Sequence, residues 1–266
     1  MKHLNGKVVW LTGASSGIGE ALAIELAKEN VKLVISARRE DELQRVKKLL
    51  PLSEENCWVL PLDLERPETF KEKTNEVVQR FGRIDILINN AGLSQRSLAK
   101  NTSIDVDKRL MNVNYIGTVA LTKQVLPFMI TAQSGLFVTI TSAVGKIPSP
   151  WRSSYAAAKH ALHGFFDSLR AECYNDGIRV LLVCPGFIAT NVSLNALTDD
   201  GTPLGKMDEA TQKGLQPQQC AAEIVSAISC GKEEVVIGGL KEKFGVWMKR
   251  HFPSIFSVMI RKMAVR

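Results

Sequence analysis

The sequence predicts an α/β fold in which a doubly wound parallel sheet of about seven strands carries helices on both faces. Two observations predict this class. Short apolar runs of strand length alternate with stretches of helical periodicity along most of the chain. A glycine-rich turn joins the first run to the first helix. With 266 residues, 45% of them hydrophobic, the chain can bury the core of one domain, which we expect over residues 1–240, followed by a tail over 241–266.

The first strand–helix connection indicates a Rossmann-type nucleotide site. Residues 7–12 form a buried strand, and the glycine turn after it opens a helix with Leu22 and Leu26 on one face. Backbone N–H groups in such a turn can approach a pyrophosphate, although a merely tight turn is the alternative. A second strand at 31–37 follows at the spacing of a dinucleotide fold, which favours the nucleotide interpretation. The candidate contacts in the turn are Gly13, Ser15, Ser16, Gly17, Ile18 and Gly19.

The end of the second strand indicates which dinucleotide binds. An NAD site usually places an Asp or Glu there for the ribose 2′-OH, whereas a 2′-phosphate needs a basic partner. Ser36 and Ala37 are followed by Arg38 and Arg39, without an acid. The arginines could belong only to the start of the next helix, but that leaves the missing carboxylate unexplained. We therefore predict NADP(H), with Arg38 as the main ligand of the 2′-phosphate.

Later strand ends supply further candidates for the cofactor site. Asp63 ends the third strand, where it could meet the adenine amino group or cap the next segment. Asn89 and Ala91 follow the fourth strand in a loop that suits a close crossing of the cofactor, with turn stabilisation as the alternative. The sixth strand, over 178–183, stops just before Pro185.

Tyr155 and Lys159 are the candidates for proton chemistry. They lie four residues apart on a predicted helix and therefore on one face. A neighbouring ammonium lowers the pKa of a phenol and makes it a general acid or base. The alternative is an exposed pair of side chains on the protein surface without a catalytic role. Ser142 follows the fifth strand. Asn114 interrupts the apolar stripe of a long helix predicted over about 104–130, either as a satisfied core amide or as a bend that frees a carbonyl for water.

These motifs, taken in order, resemble the compact single-domain branch of the short-chain dehydrogenase/reductase family across residues 5 to about 240. The amino-acid sequence is similar to that of the dehydrogenase/reductase member 7 group of that family in three segments, residues 105–109, 152–160 and 195–201. The motifs that carry the family resemblance are Thr12-Gly-x-x-x-Gly17-x-Gly19, Asn89-Asn-Ala-Gly92, Asn114, Ser142, Tyr155 with Lys159, and Pro185-Gly186 with Thr190.

The resemblance implies an activity and a set of roles. It makes Asn114, Ser142, Tyr155 and Lys159 a catalytic tetrad, in which Asn114 positions the water that relays protons from Lys159. It places Pro185, Gly186, Ile188 and Thr190 on the cofactor, with Thr190 on the nicotinamide carboxamide. The implied reaction interconverts a carbonyl and a secondary alcohol on a lipophilic small molecule of steroid, retinoid or xenobiotic type. A homodimer is also implied. A catalytically silent nucleotide-binding or scaffolding protein on the same fold is the alternative.

Composition bounds the other classes of function. The five cysteines are odd in number and without a C-x-x-C spacing, which predicts reduced thiols in a cytosol-facing protein. The four histidines form no metal-binding spacing, so we predict no metal and place His160 and His163 on a helix surface. Of the net charge of +7, the segment 241–266 carries +6. Because the body is nearly neutral, we expect no nucleic-acid binding.

Two segments near the end of the chain are predicted to act at the margin of the site. Residues 190–216 are polar and glycine-rich, which indicates a mobile lid, with a plain surface excursion as the alternative. The tail, 241–266, is basic and amphipathic and is divided into two short helices by Pro253. It could rest on an intracellular membrane surface, or its apolar face could pack over the substrate pocket. We expect the body of the protein to be soluble.

Overall fold

A computed structural model describes residues 4–261, and its centre is one parallel sheet of seven strands. The predicted α/β fold with a doubly wound parallel sheet is confirmed. The order across the sheet is β3-β2-β1-β4-β5-β6-β7. The strands are β1 (Val8–Thr12), β2 (Lys32–Ser36), β3 (Cys57–Val59), β4 (Ile86–Asn89), β5 (Gly135–Ile140), β6 (Ile178–Pro185) and β7 (Glu234–Ile237).

Helices connect consecutive strands and cover both faces of the sheet. They are α1 (Gly17–Ala27), α2 (Glu40–Lys47), α3 (Phe70–Phe81), α4 (Ile104–Met111), α5 (Thr118–Thr131), α6 (Ser153–Glu172), α7 (Glu209–Gln212), α8 (Pro217–Ser229), α9 (Leu240–His251) and α10 (Pro253–Ile260). The single helix predicted over 104–130 is instead interrupted, because Asn112–Gly117 forms a π-helical segment between α4 and α5. Such wide turns occur frequently at functional sites.

The strands are buried on both faces, as parallel strands under two layers of helices must be. Alternate residues of β1 point to opposite sides: Val9 and Leu11 pack with α1 and α8, whereas Trp10 packs with Phe137 and Phe166. Each large side chain removed from water contributes about 1.5–3 kcal/mol. The two apolar layers therefore hold the sheet rigidly beneath the loops at its carboxyl edge.

The strand order reverses between β1 and β4. From β1 the chain continues outward through β2 to β3, and from β4 it continues outward in the other direction. The loops after β1 and β4 therefore diverge and leave a crevice at the carboxyl ends of the strands, where open α/β sheets bind ligands. The glycine turn at 13–19 lies in this crevice.

The tail folds as two helices, α9 and α10, which meet at Pro253 as predicted. Phe256 of α10 is only 1% exposed, whereas Trp247 of α9 is half exposed. Among the described residues, no helix is long and apolar enough to cross a membrane. The part of the predicted tail beyond residue 261 lies outside the described residues.

The prediction that both histidines of α6 lie on its surface is wrong for one of them. His160 is exposed, but His163 is only 8% exposed, and its Nε2 lies 3.7 Å from the Sγ of Cys184 on β6. Glu234 of β7 lies 3.9 Å from the other ring nitrogen. These three side chains come from distant segments, so their proximity is invisible to sequence spacing. The Nζ of Lys146 lies 2.5 Å from Glu234 Oε2 and places a positive charge where a metal ion would need the carboxylate.

Candidate active site

One large cavity, of about 1360 Å³, runs along the carboxyl edge of the sheet. Its walls come from the glycine turn, the loops after β2 to β6, the residues 190–216, and the two tail helices. Nearly all the residues predicted from the sequence line this one cavity, although they come from segments far apart in the chain. They are Gly13, Ser15, Ser16, Gly17, Ile18, Gly19, Arg38, Arg39, Asp63, Ala91, Ser142, Tyr155, Lys159, Pro185, Gly186, Ile188 and Thr190.

The glycine turn is shaped by close backbone contacts. Gly13 has a φ of +67°, and a Cβ there would lie 2.7 Å from the Cα of Ala91. A Cβ on Gly19 would lie 2.0 Å from the carbonyl oxygen of Gly13. Neither position tolerates a side chain, so the backbone of the turn and the start of α1 stay open toward the cavity. This is the arrangement in which backbone N–H groups and a helix N-terminus can hold a pyrophosphate.

The end of β2 presents basic side chains to one end of the cavity. Ser36, the last residue of β2, accepts a buried hydrogen bond of 2.8 Å from the Trp10 indole, and no acid occurs from Ser36 to Arg39. Arg38 and Arg39 line the cavity, and Arg109 from α4 lies beside them. Glu65, which the sequence did not single out, contacts Arg38 at 3.7 Å and Arg109 at 3.1 Å. Three cations against the two carboxylates of Glu65 and Asp63 leave this end of the cavity with a net positive charge.

Asp63 and Asn89, both predicted to contact the cofactor, face in different directions in the structure. Asp63 lines the cavity and its Oδ1 also accepts a hydrogen bond from the backbone N–H of Glu65, so it both faces the cavity and shapes the following turn. The prediction that Asn89 faces the cofactor is wrong. Its side chain points into the core, where it donates to Thr122 Oγ1 at 3.1 Å. The next residue, Asn90, lines the cavity instead and donates to the backbone of the glycine turn. In a strand, neighbouring side chains alternate faces, and the sequence did not show which asparagine faced inward.

Tyr155, Ser142 and Lys159 face the cavity together. Burial raises the pKa of Tyr155 above its ordinary value, while the Ser142 hydroxyl and the charges of two arginines act to lower it. The Nζ of Lys159 lies 5.8 Å from the centre of the Tyr155 ring and donates to the carbonyl of Ile140 at 2.8 Å. Burial lowers the pKa of Lys159 to about 8. The Ser142 hydroxyl and the two arginine charges therefore oppose the effect of burial on the phenol, and the expected effect of Lys159 stays a prediction.

Asn114 stands behind this group rather than in the cavity. It is fully buried in the π-helical segment, where its Oδ1 accepts from the N–H of Leu93 at 2.8 Å and its Nδ2 donates to the Leu93 carbonyl. The side chain thereby fixes the loop after β4. A Cβ on Gly92 of that loop would lie 2.7 Å from Asn114 Oδ1 and 3.7 Å from Lys159 Nζ, which shows how close the two groups are.

The start of α6 is held by a residue that sequence reasoning missed. The Oε1 of Gln95 accepts hydrogen bonds from the backbone N–H groups of Ser154 and Tyr155, at 2.9 and 3.2 Å. Gln95 is fully buried and caps the helix from a loop 60 residues earlier, which fixes the position of Tyr155. A cap that comes from so far away leaves no local sequence signal.

The loop after β6 and the segment 190–216 close the other side of the cavity. The side chain of Thr190 lies beside Gly17, where a Cβ would be 3.1 Å from its Cγ2. The segment is tied to the body: the carbonyl of Leu197 accepts from the N–H of Arg96 at 2.8 Å, and Leu215 pairs with Ile188. The predicted cover over the cavity is present, whereas its mobility stays a prediction.

The tail forms part of the cavity wall. Phe256, Met259 and Ile260 of α10 line the cavity, and Gly245 of α9 lies against Phe256. The apolar side chains of the tail therefore face two ways, because Trp247 and its neighbours remain exposed. The prediction that the tail covers the pocket fits the structure, and an exposed apolar surface remains in addition.

Fold and cavity together define a class of protein, a Rossmann-type fold with a site suited to a dinucleotide. The chain belongs to the short chain dehydrogenase family, whose pattern matches residues 7–200. The resemblance stated from the sequence is thereby confirmed.

Individual relatives agree with this placement. The chain is 46% identical to a dehydrogenase/reductase SDR family protein 7-like of Anopheles gambiae, over 99% of this chain and 84% of that one. It is 45% identical to dehydrogenase/reductase SDR family member 7 of Homo sapiens, over 88% and 71% of the two chains. Among solved structures, the alcohol dehydrogenase of Thermococcus sibiricus superposes with a TM-score of 0.73 at 27% identity, over 89% of this chain and 97% of that one.

Proposed function

We propose that the protein is an NADP(H)-dependent oxidoreductase that interconverts a carbonyl and a secondary alcohol on a lipophilic small molecule. The observation that carries this proposal is that Tyr155, Ser142 and Lys159 line the same cavity as the glycine turn. A silent nucleotide-binding protein would not need a buried phenol, hydroxyl and amine gathered beside its nucleotide site.

Tyr155, Ser142 and Lys159 have separate roles in the proposed proton transfer. The nicotinamide supplies or accepts a hydride when bound. Because burial raises its pKa, Tyr155 stays protonated at neutral pH, which is the form required of a general acid toward a carbonyl oxygen. Ser142 can hydrogen-bond the same oxygen. Lys159, with a pKa of about 8, can return a proton toward the phenol, and Asn114 keeps the loop behind it in place.

Replacement of the phenol tests this assignment. Tyr155→Phe should lower kcat roughly a thousandfold, since general acid catalysis contributes about 10²–10⁴-fold, while the affinity for NADPH changes little. The matched control is Tyr174→Phe, which removes the same hydroxyl from an exposed site. The assay is NADPH oxidation with a panel of ketones and aldehydes. Tight NADPH binding without turnover of any carbonyl by the wild type would support the nucleotide-binding alternative.

The choice of NADP(H) rests on charge. Arg38, Arg39 and Arg109 outnumber Glu65 and Asp63 near the end of β2, and residues 36–39 contain no carboxylate that would bind a ribose 2′-OH. The Thermococcus alcohol dehydrogenase was solved with 5-hydroxy-NADP. Both facts support a 2′-phosphate at this end of the cavity.

The proposed homodimer rests on apolar surface outside the cavity. Ile116 of the π-helical segment and Phe128 of α5 are exposed, and Tyr115 packs edge-on against Phe165 of α6 with ring centres 6.5 Å apart. Pairing of these helices with a second copy would bury this surface. Light scattering at micromolar concentration should give twice the monomer mass, and the mass of a monomer would contradict the proposal.

Contact of the tail with an anionic membrane is proposed from its outer surface. Trp247 stacks with Phe244, and Phe252 packs against it, all three about half exposed. Lys243 and Arg250 lie exposed on the same helix, α9. Aromatic residues enter the headgroup boundary, and each nearby cation adds about 1 kcal/mol at an anionic leaflet.

Vesicle sedimentation tests the membrane contact with the full chain. Wild type should bind phosphatidylserine vesicles at low salt, and the double variant Trp247→Ser with Phe252→Ser should bind at least tenfold more weakly. Equal sedimentation of the two proteins would rule out this surface. Replacement of the two exposed side chains leaves the cavity residue Phe256 untouched.

A further inference from the structure

Two arginines from distant parts of the chain share one carboxylate at the wall of the cavity. Arg96 follows β4, Arg152 precedes α6, and Asp208 precedes α7. All three side chains are less than 10% exposed, and both arginines line the cavity. None of them belongs to the cofactor site, and the proposed reaction gives none of them a contact with the substrate.

The two arginines differ in how well they are satisfied. Arg96 donates from Nε to Asp208 Oδ2 at 2.7 Å and from Nη1 to Ser94 and the Gln95 carbonyl. Within the described part of the chain, Arg152 donates one side-chain hydrogen bond, from Nη1 to Ser149 Oγ at 2.9 Å. Its Nη2 lies 3.6 Å from Asp208, beyond hydrogen-bond distance. A guanidinium has five N–H donors, so most of those of Arg152 remain for a ligand.

The charges at this wall do not balance. Burial and the charge of Arg96 together lower the pKa of Arg152 to about 10, while the charge of Asp208 acts in the opposite direction. Two buried guanidinium groups therefore face a single carboxylate. A buried charge that is only partly paired is costly, and a bound anion would lower that cost. The phosphates of a bound NADP(H) would have partners elsewhere, at the glycine turn and at Arg38.

A latch that holds the segment 190–216 is the competing explanation. Asp208 lies in that segment, and its Oδ2 accepts two hydrogen bonds from Arg96, which tie the segment to the body. One guanidinium is enough for such a latch, however, and Arg96 fills that role. A latch leaves the buried position and the unused donors of Arg152 without explanation.

The surplus charge lies beside the reactive group. Arg152 is three residues before Tyr155, and both guanidinium groups lower the pKa of its phenol. Apolar side chains, among them Phe256, Met259 and Ile147, line another part of the same cavity. We propose that Arg152, supported by Arg96, binds a carboxylate or phosphate of the substrate, so that the substrates are amphiphilic carbonyl compounds with an anionic group and an apolar chain. This inference rests on the proposed function for its reaction, although not for the binding itself.

Calorimetric binding to the NADPH-saturated protein tests the inference without turnover. The probes are octanoate, octyl phosphate and octanol, which share a chain and differ in the headgroup. Wild type should bind at least one of the anions thirtyfold or more tightly than octanol, because charge-assisted bidentate contacts are the strong ones. The preferred anion distinguishes a carboxylate from a phosphate. In Arg152→Met the preference for the anion should fall at least tenfold, and Arg152→Lys should retain part of it.

Two further variants separate an anion site from a structural role. Asp208→Asn removes the competing carboxylate and should tighten anion binding about tenfold, a gain that a latch does not predict. Arg179→Met lowers the net charge of the protein by the same amount as Arg152→Met, but at an exposed site. It should leave the affinities for octanoate, octyl phosphate and octanol unchanged. Equal binding of anions and octanol by wild type, or an unchanged preference in Arg152→Met, would overturn the inference. If no carbonyl is reduced but the anion preference is present, the proposed function fails and the anion site stands.

Discussion

The two sides of the cavity are built in different ways. The cofactor side is assembled mainly from the consecutive strands and helices of residues 7–92, and the predicted contacts from Pro185, at the end of β6, to Thr190 complete it. The substrate side brings together the loop after β4, the start of α6, the rest of the segment 190–216 and the tail. The first side is set by local backbone geometry, and the second by long-range packing and charge. Substitutions on the two sides should therefore differ in what they change.

The largest expected effect belongs to the cofactor side. In Gly19→Ala the new Cβ would meet the Gly13 carbonyl, so NADPH affinity should fall on the order of a thousandfold, from about 4 kcal/mol of strain. The control is Gly164→Ala, where a Cβ on α6 would meet nothing within 4 Å. Fluorescence titration with NADPH measures both. Equal affinities in the two variants would mean that the turn is not held by this contact.

Burial of Lys159 predicts a pH effect on stability. An exposed lysine has a pKa of 10.5, and that of Lys159 is lowered to about 8. Between these values the unfolded chain binds the proton more strongly, so the free energy of unfolding rises with pH across this window, by roughly 3 kcal/mol. Lys159→Met should lack this rise. Urea unfolding of both proteins from pH 7 to 10.5 checks it, and a difference that stays constant with pH would argue against a depressed pKa.

Cofactor choice should depend on the end of β2 alone. Arg38→Ala should weaken NADPH about ten- to hundredfold, since a charge-assisted contact contributes roughly 1.5–3 kcal/mol, and NADH should be little affected. Arg66→Ala removes an exposed arginine a short distance along the chain and serves as the control. If Arg38→Ala weakened both cofactors equally, the residue would be structural.

The smallest effect is expected on the substrate side. Phe256→Ala opens the apolar wall and should raise KM for an apolar ketone about tenfold, while NADPH affinity is retained. Phe252→Ala truncates the same side chain one helical turn earlier at an exposed position and should change neither. A loss of NADPH affinity in Phe256→Ala would show that the two sides are not independent.

The sequence predicted the cofactor side more completely than the substrate side, and the reason is physical. The glycine turn and the arginines after β2 each depend on residues within one turn. The pair Tyr155 and Lys159, at the start of α6, could be predicted for the same reason, because it lies within one helix. Asn89 was assigned to the cofactor because a strand end does not show which of two asparagines faces inward. His163 was placed on the surface because its partner Cys184 lies on a strand that sequence spacing cannot bring near it.

Long-range contacts account for what the sequence could not show. Gln95 caps α6 across 60 residues, and Arg96, Arg152 and Asp208 meet from three separate segments. The sequence of the tail allowed two interpretations, contact with a membrane or packing over the pocket. An amphipathic pattern does not show how many partners its apolar side chains have. In the structure Phe256 faces the cavity and Trp247 faces outward.

The central claim is that both sides of the cavity act together in an oxidoreductase. Transfer of deuterium from NADPH to a product tests this claim most directly. Wild type is mixed with NADPH deuterated at the nicotinamide C4 and with ketones and aldehydes, and the alcohol products are analysed by mass spectrometry. The account predicts products that are one mass unit heavier with wild type and at least a hundredfold less of them with Tyr155→Phe. Tight binding of NADPH by wild type with no deuterium in any product would contradict it.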